Sequence, residues 1–129
     1  MRFLDRIINK AKEDVKTIVL AEATDIRVLK ASSYILENGV ANLVLLGNED
    51  EVKKAAGDID ISRAVIIEPS QSVKFNDYVN TFYEMRKKKG VTIEQAREIM
   101  QNPLYFGAMM VKMEDADGMV AGAVNSSAN

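Results

Sequence analysis

Short apolar runs alternate with amphipathic segments along most of the chain. Continuous aliphatic runs of four or five residues are typical of strands that are buried on both faces of a parallel sheet. They predict strands at 17–21, 42–46 and 64–67, with a last strand at about 118–122. Between the strands, apolar residues recur at helical spacing. The segments with this spacing predict helices at about 2–14, 25–38, 49–56 and 76–89.

Helix-boundary signals agree with this division. Thr24 is the predicted N-cap of the second helix, and Gly39 stands where a left-handed residue would end it. The segment Thr92–Gln95 matches a capping box that opens a fifth helix. The pair Asn102-Pro103 places a cap before proline and opens a sixth. Alternating strands and helices predict an α/β fold with three layers (α/β/α), in which helices cover both faces of a mostly parallel sheet.

Composition narrows the chemistry. The net charge of −2 gives no basic field for nucleic acid, and the apolar runs are too short to span a membrane. Residues 1–15 read as a charged amphipathic helix without signal-peptide features, so a cytoplasmic location is expected. There is no cysteine and no histidine, which excludes thiolate and imidazole chemistry within these 129 residues. Any catalysis here would use carboxylates, hydroxyls, lysine, arginine, tyrosine or backbone N–H groups.

The strongest cationic cluster is Arg86–Lys89. The three lysines favour a solvated helix C-terminus, where positive charge complements the helix dipole. Arg86 differs, because it follows Phe82 by one helical turn and so lies on or beside the apolar stripe that predicts the buried face. Its guanidinium needs either a protein carboxylate or a bound anion, and the spacing leaves both open.

Other polar segments follow predicted strands, where α/β sheets bind ligands. Thr24 and Asp25 are favoured as helix-capping residues, while Arg27 could pair with a carboxylate or face a cleft. The turn at 47–50 lacks the glycine and lysine spacing of nucleotide-binding loops. Loop 122–127 could be a loose terminus or an anion-binding loop.

Several co-linear segments resemble the phosphate acetyltransferase (phosphotransacetylase) family, and the similarity covers essentially the whole chain. The related phosphate butyryltransferases share the architecture but match the Arg86 region less well. The segments that carry the resemblance are Leu20–Arg27, Ile35–Asn48, Tyr83–Gly90, Thr92–Ala96, Tyr105–Lys112 and Ala116–Ala123.

The resemblance implies a reaction in which acetyl-CoA and phosphate are interconverted with acetyl phosphate and CoA. The family is understood to transfer the acetyl group directly in a ternary complex, with an aspartate as general base and arginines holding the phosphoryl group. CoA is then a substrate, and no cofactor or metal is implied. A homodimer is expected for the full enzyme.

Site residues carried over by position are Arg86 at the substrate cleft and three residues of a loop beside the phosphate-acetyl site, Asn125, Ser126 and Ser127. The chain departs from the family pattern at three positions. Proline is common where Ala21 stands, histidine where Asn125 stands and aspartate where Asn129 stands. The last two changes would alter hydrogen bonding in the loop.

Family members are longer, with two α/β domains of the isocitrate/isopropylmalate-dehydrogenase-like type. Residues 1–129 would then form the N-terminal part of the first domain, without the second domain and the C-terminal return of domain one. The general-base aspartate and a further arginine would lie outside this segment, so the segment is expected to be inactive alone and to self-associate. The alternatives are a non-catalytic α/β module that binds CoA or phosphate or docks onto a partner, and a phosphate butyryltransferase.

Overall fold

A computed structural model of the protein describes residues 15–121. The four strands of this region form one parallel sheet in the order β3-β2-β1-β4. Their bounds are β1 Lys16–Leu20, β2 Ala41–Leu46, β3 Val65–Ile67 and β4 Gly118–Val120. In the register, Leu20 of β1 lies opposite Leu45 of β2 and Val120 of β4. The predicted parallel sheet is therefore confirmed, and the helix predicted at 2–14 lies outside the described residues.

Five α-helices connect or flank these strands within residues 15–121. Their bounds are α1 Ile26–Glu37, α2 Glu49–Ala56, α3 Phe75–Arg86, α4 Ile93–Met100 and α5 Pro103–Lys112. Short 3₁₀ turns lie before and after α3, at Pro69–Gln71 and Lys87–Lys89. Each helix predicted between residues 25 and 112 is present.

Side chains that alternate along the strands divide the core into two clusters, one on each face of the sheet. Val19 of β1 packs in a cluster with α3, α4 and α5, which contribute Tyr78, Met100 and Phe106 among others. The next residue, Leu20, packs in the other cluster with residues of α1 and α2. Successive strand side chains point to opposite faces, so this division is the three-layer α/β/α arrangement.

Helix caps follow the predicted chemistry with one correction. The N-cap of α1 is Asp25 and not Thr24, because the Asp25 carboxylate accepts a hydrogen bond from the backbone N–H of Arg27 at 2.8 Å. Thr92 and Gln95 form the predicted capping box of α4. Asn102 caps α5 directly before its first residue, a proline.

The predicted element at 76–89 is longer than the α-helix that forms. α3 ends at Arg86, and the three lysines tighten into a 3₁₀ turn closed by Gly90, whose φ is 92°. Such tightening satisfies carbonyl groups that lack an α-helical partner. Met85 precedes the last residue of α3 and Met113 follows the last residue of α5, and these two side chains are 44% and 43% exposed. The last strand ends at Val120, two residues earlier than predicted.

Helix α5 lies unusually close to the sheet at Gly107. A Cβ atom at this position would lie 2.6 Å from Met119 Sδ and 3.2 Å from side-chain atoms of Leu46 and Val19. Contacts under 3.0 Å are not tolerated without movement, so the absent side chain of Gly107 sets the distance between α5 and the three strands β2, β1 and β4.

Candidate functional site

The carboxyl ends of the four parallel strands lie at one edge of the sheet, which is where open α/β sheets bind ligands. After β1 the chain passes through residues 21–25 into α1, and after β2 it turns at Gly47-Asn48 into α2. After β3 it enters the turn at Pro69–Gln71. The candidate site is assembled from these connections and from the helix ends beside them.

An aspartate–arginine pair occupies the connection after β1. Asp25 caps α1 and also accepts hydrogen bonds from Arg27, with 3.2 Å from Nε to Oδ1 and 2.8 Å from Nη2 to Oδ2. The hydrogen bonds from Arg27 hold the pKa of Asp25 below its usual value, and the pKa of Arg27 is raised by the same contact. Of the two alternatives for Arg27, the structure shows pairing with a carboxylate. The pair keeps the Asp25 carboxylate ionised and fixes the start of α1.

The ends of β2 and β3 are tied together by Asn48. Its side-chain oxygen accepts a hydrogen bond from the backbone N–H of Glu51 at 3.0 Å, and its side-chain nitrogen donates to Glu68 Oε1 at 3.2 Å. The N–H of Gly47 donates to the carbonyl of Ile67 at 2.9 Å. These hydrogen bonds use the polar groups of the turn for helix capping and strand pairing, so the turn holds the ends of β2 and β3 together at this edge of the sheet.

Helix α3 runs antiparallel to α5. Near the start of α3, the Tyr78 hydroxyl donates a hydrogen bond to Asp115, which follows the end of α5 and precedes β4. One turn further on, the Phe82 ring meets the Tyr105 ring of the first turn of α5 edge-on, with centroids 6.2 Å apart. Since α5 ends next to the amino end of β4, the end of α3 points toward the carboxyl edge of the sheet.

Arg86 is the last residue of α3 and therefore lies on the carboxyl-edge side. Its side chain is exposed, and Cζ stands 5.9 Å from the centroid of the Phe82 ring, a cation–π contact. Within residues 15–121 no carboxylate lies within 4.0 Å of its guanidinium, whereas the neighbouring Lys87 pairs with Glu84 at 2.8 Å. Arg86 is thus held by an aromatic ring with its donors facing solvent, an arrangement that can receive an anion.

Comparison with known proteins shows which family the chain belongs to. The family model described as phosphate acetyl/butaryl transferase matches residues 2–129. The chain belongs to this family. It is 60% identical over 129 residues to a phosphate acetyltransferase of Acetivibrio thermocellus and 43% identical to one of Clostridium acetobutylicum. It spans 39% of the length of each of these relatives.

Solved structures of two phosphotransacetylases share the fold. A EutD phosphotransacetylase from Staphylococcus aureus superposes with a TM-score of 0.84 at 34% identity, over 98% of this chain and 40% of that protein. A phosphotransacetylase from Streptococcus pyogenes superposes with a TM-score of 0.83 at 31% identity, over 99% of this chain and 40% of that protein.

The predicted loop residues of this family member, Asn125, Ser126 and Ser127, lie outside the described residues. The chain leaves β4 at Val120, whose partner in the register is Leu20, the last residue of β1. The described part of β4 therefore ends at the same edge of the sheet as β1, which precedes the Asp25–Arg27 pair. Between residues 15 and 121 no cluster of three or more acidic side chains is arranged to hold a metal, and no helix is long and apolar enough to cross a membrane.

Sequence reasoning missed two structural features beside the site. One is the bond from Tyr78 to Asp115, which joins residues 37 positions apart and leaves no periodic signal. The other is the close contact at Gly107, although a glycine inside a predicted helix is itself a signal of close packing. Both features position α3 and α5, and through α3 they position Arg86.

Proposed function

We propose that the protein carrying this chain transfers an acetyl group between CoA and phosphate, interconverting acetyl-CoA plus phosphate with acetyl phosphate plus CoA. The family match over residues 2–129 and the phosphate acetyltransferases at 60% and 50% identity support this proposal. Because the chain spans about 39% of those relatives, the proposal concerns the whole protein and not this segment alone.

The environment of Arg86 is the single observation that supports a role for this segment in substrate binding. Its guanidinium is exposed on the carboxyl-edge side, is held over Phe82, and faces no carboxylate within the described region. A guanidinium can donate two parallel hydrogen bonds to a phosphate group, and such charge-assisted bonds are stronger than neutral ones. We assign Arg86 to binding of the phosphoryl group of phosphate or acetyl phosphate.

In this reaction, residues 1–129 would bind the phosphate and donate hydrogen bonds to the reacting groups. A phosphate oxygen attacks the thioester carbonyl carbon, the carbon–sulfur bond breaks, and CoA leaves as a thiolate that takes a proton from an acid. Arg86 would hold the phosphate and offset its charge during attack. Asn125, Ser126 and Ser127 would donate hydrogen bonds to the phosphate or to the carbonyl oxygen, an assignment supported by the family match over residues 2–129. The proton-transferring aspartate is assigned to another part of the protein.

The proposal extends to organisation and location. Residues 1–129 are assigned to the N-terminal part of the first of two α/β domains. The whole protein is proposed to be a cytoplasmic homodimer that works without a resident cofactor, with CoA as a substrate. The domain assignment agrees with the 39–40% of relatives and solved structures that the chain spans.

The direct test is an assay of the full protein for acetyl phosphate formation from acetyl-CoA and phosphate, run beside butyryl-CoA. We expect turnover that depends on both substrates, with acetyl-CoA preferred in kcat/KM. A preference for butyryl-CoA would make the protein a phosphate butyryltransferase. Robust turnover by residues 1–129 alone would contradict the assignment of the base to another part of the protein.

A non-catalytic binding module is the second candidate, favoured by the same observation that Arg86 has no carboxylate beside it in residues 15–121. Titration calorimetry of the full protein with CoA and with phosphate separates the two. Binding without turnover would support the module. Turnover supports the transferase, and the absence of both binding and turnover would contradict both candidates.

A further inference from the structure

The Phe82 ring is the neighbour that restrains Arg86 at the end of α3. The two residues are four positions apart in the helix, so their side chains lie on one face, and Arg86 Cζ stands 5.9 Å from the centroid of the ring. An arginine side chain has many rotamers, and in a folded protein it is commonly restrained by a carboxylate. Between residues 15 and 121 no carboxylate lies within 4.0 Å of the Arg86 guanidinium. The ring is therefore the restraint that this part of the chain supplies.

The Phe82 ring is itself fixed by its packing and by a second ring. It is 8% exposed and belongs to the core cluster that α3 forms with α4 and α5. It also meets the Tyr105 ring of α5, with an interplanar angle of 77° and centroids 6.2 Å apart. Aromatic pairs favour this edge-to-face arrangement, and packed core side chains sit in defined rotamers. The ring therefore gives Arg86 a support whose position is set by both helices.

A ring restrains a guanidinium differently from a carboxylate. A carboxylate accepts hydrogen bonds from the guanidinium and offsets its charge, so an incoming anion would have to displace it. A cation–π contact is made with the ring face and uses none of the N–H donors. Arg27 shows the contrast, because its Nε and Nη2 both donate to Asp25. Arg86 is restrained while its charge and its donors stay available to an anion.

We propose that Phe82 is a positioning residue for phosphate binding, which keeps the Arg86 guanidinium in place at the carboxyl edge before the anion arrives. This inference rests on the proposed function, in which Arg86 binds the phosphoryl group. Ordering one rotamer-rich side chain during binding weakens affinity by about 2–10-fold, and a side chain that is already held avoids this loss. Without the ring, phosphate binding should therefore weaken by about 2–10-fold, while the transfer step itself changes little.

Steady-state kinetics of Phe82→Leu in the full protein test this role, with Phe75→Leu as the matched control. Phe75 is also 8% exposed, lies in the same core cluster and begins the same helix, about 16 Å along α3 from Arg86. KM for phosphate should rise about 2–10-fold in Phe82→Leu and stay unchanged in Phe75→Leu. A general loss of folded protein would lower the apparent kcat and leave KM as it was. An unchanged KM in Phe82→Leu, or an equal rise in both variants, would overturn the proposal.

A double-mutant cycle shows whether Phe82 acts through Arg86. In the Arg86→Gln background, Phe82→Leu should change KM for phosphate by less than about twofold, because the guanidinium that the ring positions is absent. A rise as large as in the unmodified background would show that Phe82 acts by another route, which contradicts the proposal. Phe82→Met repeats the measurement if Phe82→Leu does not fold, since the flexible methionine side chain fills irregular core space without an aromatic face. It should raise KM by the same factor as Phe82→Leu.

A binding measurement separates this inference from the proposed function. Phenylglyoxal modifies exposed arginines, and mass spectrometry of the peptide that holds Arg86 reports how far phosphate protects this side chain in the full protein, without turnover. The phosphate concentration that gives half-protection should rise about 2–10-fold in Phe82→Leu and stay unchanged in Phe75→Leu. If phosphate does not protect Arg86 in the unmodified protein, the assignment of Arg86 is wrong and the positioning role falls with it. Protection at the same phosphate concentration in all three proteins would overturn the role of Phe82 and leave the assignment of Arg86 intact.

Discussion

Replacing Tyr78 by phenylalanine removes one hydroxyl group from the contact that joins the start of α3 to the segment before β4. Tyr78 is only 2% exposed, and its hydroxyl donates to Asp115, whose side chain is 30% exposed. The ring would keep its packing against Phe106, with centroids 5.0 Å apart. The substitution therefore isolates the hydrogen bond.

The magnitude follows from the chemistry of the acceptor. A hydrogen bond to a charged group contributes about 1.5–3 kcal/mol, and an acceptor left buried without its donor is costly. Asp115 keeps some access to water and has Lys74 Nζ at 3.7 Å. We therefore expect a loss of stability at or just below the lower end of this range, about 1–2 kcal/mol. A loss of this size makes the opening of α3 about 5–30 times more frequent.

Hydrogen–deuterium exchange of peptides covering residues 75–86 measures this opening locally, which suits a protein of any size. The matched control is Tyr105→Phe, since Tyr105 is 47% exposed and no side-chain hydrogen bond of its hydroxyl is found within residues 15–121. Exchange should accelerate in Tyr78→Phe and not in Tyr105→Phe. Equal exchange in Tyr78→Phe and the unmodified protein would refute the role given to this contact.

Three further outcomes are expected. Burial and the hydrogen bond to Asp115 raise the pKa of Tyr78 in the folded protein. The stability that the protonated Tyr78 contributes is therefore complete below the unfolded tyrosine pKa of about 10 and is lost as the pH rises through the folded pKa. Between pH 9 and pH 11, the free energy of unfolding in urea should fall more steeply in the unmodified protein than in Tyr78→Phe. Gly107→Val should lower the free energy of unfolding by about 1–3 kcal/mol through overpacking, and Ala108→Val, at an exposed site of the same helix, by less than about 1 kcal/mol. Asn48→Ala removes the acceptor of the Glu51 N–H and should cost about 0.5–2 kcal/mol in the same measurement, and an unchanged midpoint would show that the cap is dispensable.

Much of the fold is predictable because its signals are local. Aliphatic runs locate the strands, and the capping box at Thr92 and Gln95 is a pattern over four residues. The N-cap of α1 was wrongly predicted because Thr24 and Asp25 are both good capping residues, and only the backbone conformation decides between them. Asp25 is the N-cap because its backbone is extended, with φ of −78° and ψ of 124°, and the helix begins at the next residue.

The site is less predictable because its contacts are long-range. The sequence places Arg86 beside an apolar stripe but does not show that its neighbour is the Phe82 ring, nor that Glu84 pairs with Lys87 instead. The antiparallel packing of α3 and α5 points Arg86 toward the carboxyl edge. That packing depends on residues far apart in the chain, such as Phe82 and Tyr105.

The most direct test of the central claim is the steady-state kinetics of Arg86→Gln in the full protein, with Lys88→Gln as the matched control. Both substitutions remove one exposed cation from the same helix end. A charge-assisted hydrogen bond of about 1.5–3 kcal/mol predicts that kcat/KM for phosphate falls about 10–100-fold in Arg86→Gln and changes little in Lys88→Gln. Equal, small effects of the two substitutions on phosphate kinetics would contradict the assignment of Arg86 to the phosphoryl group.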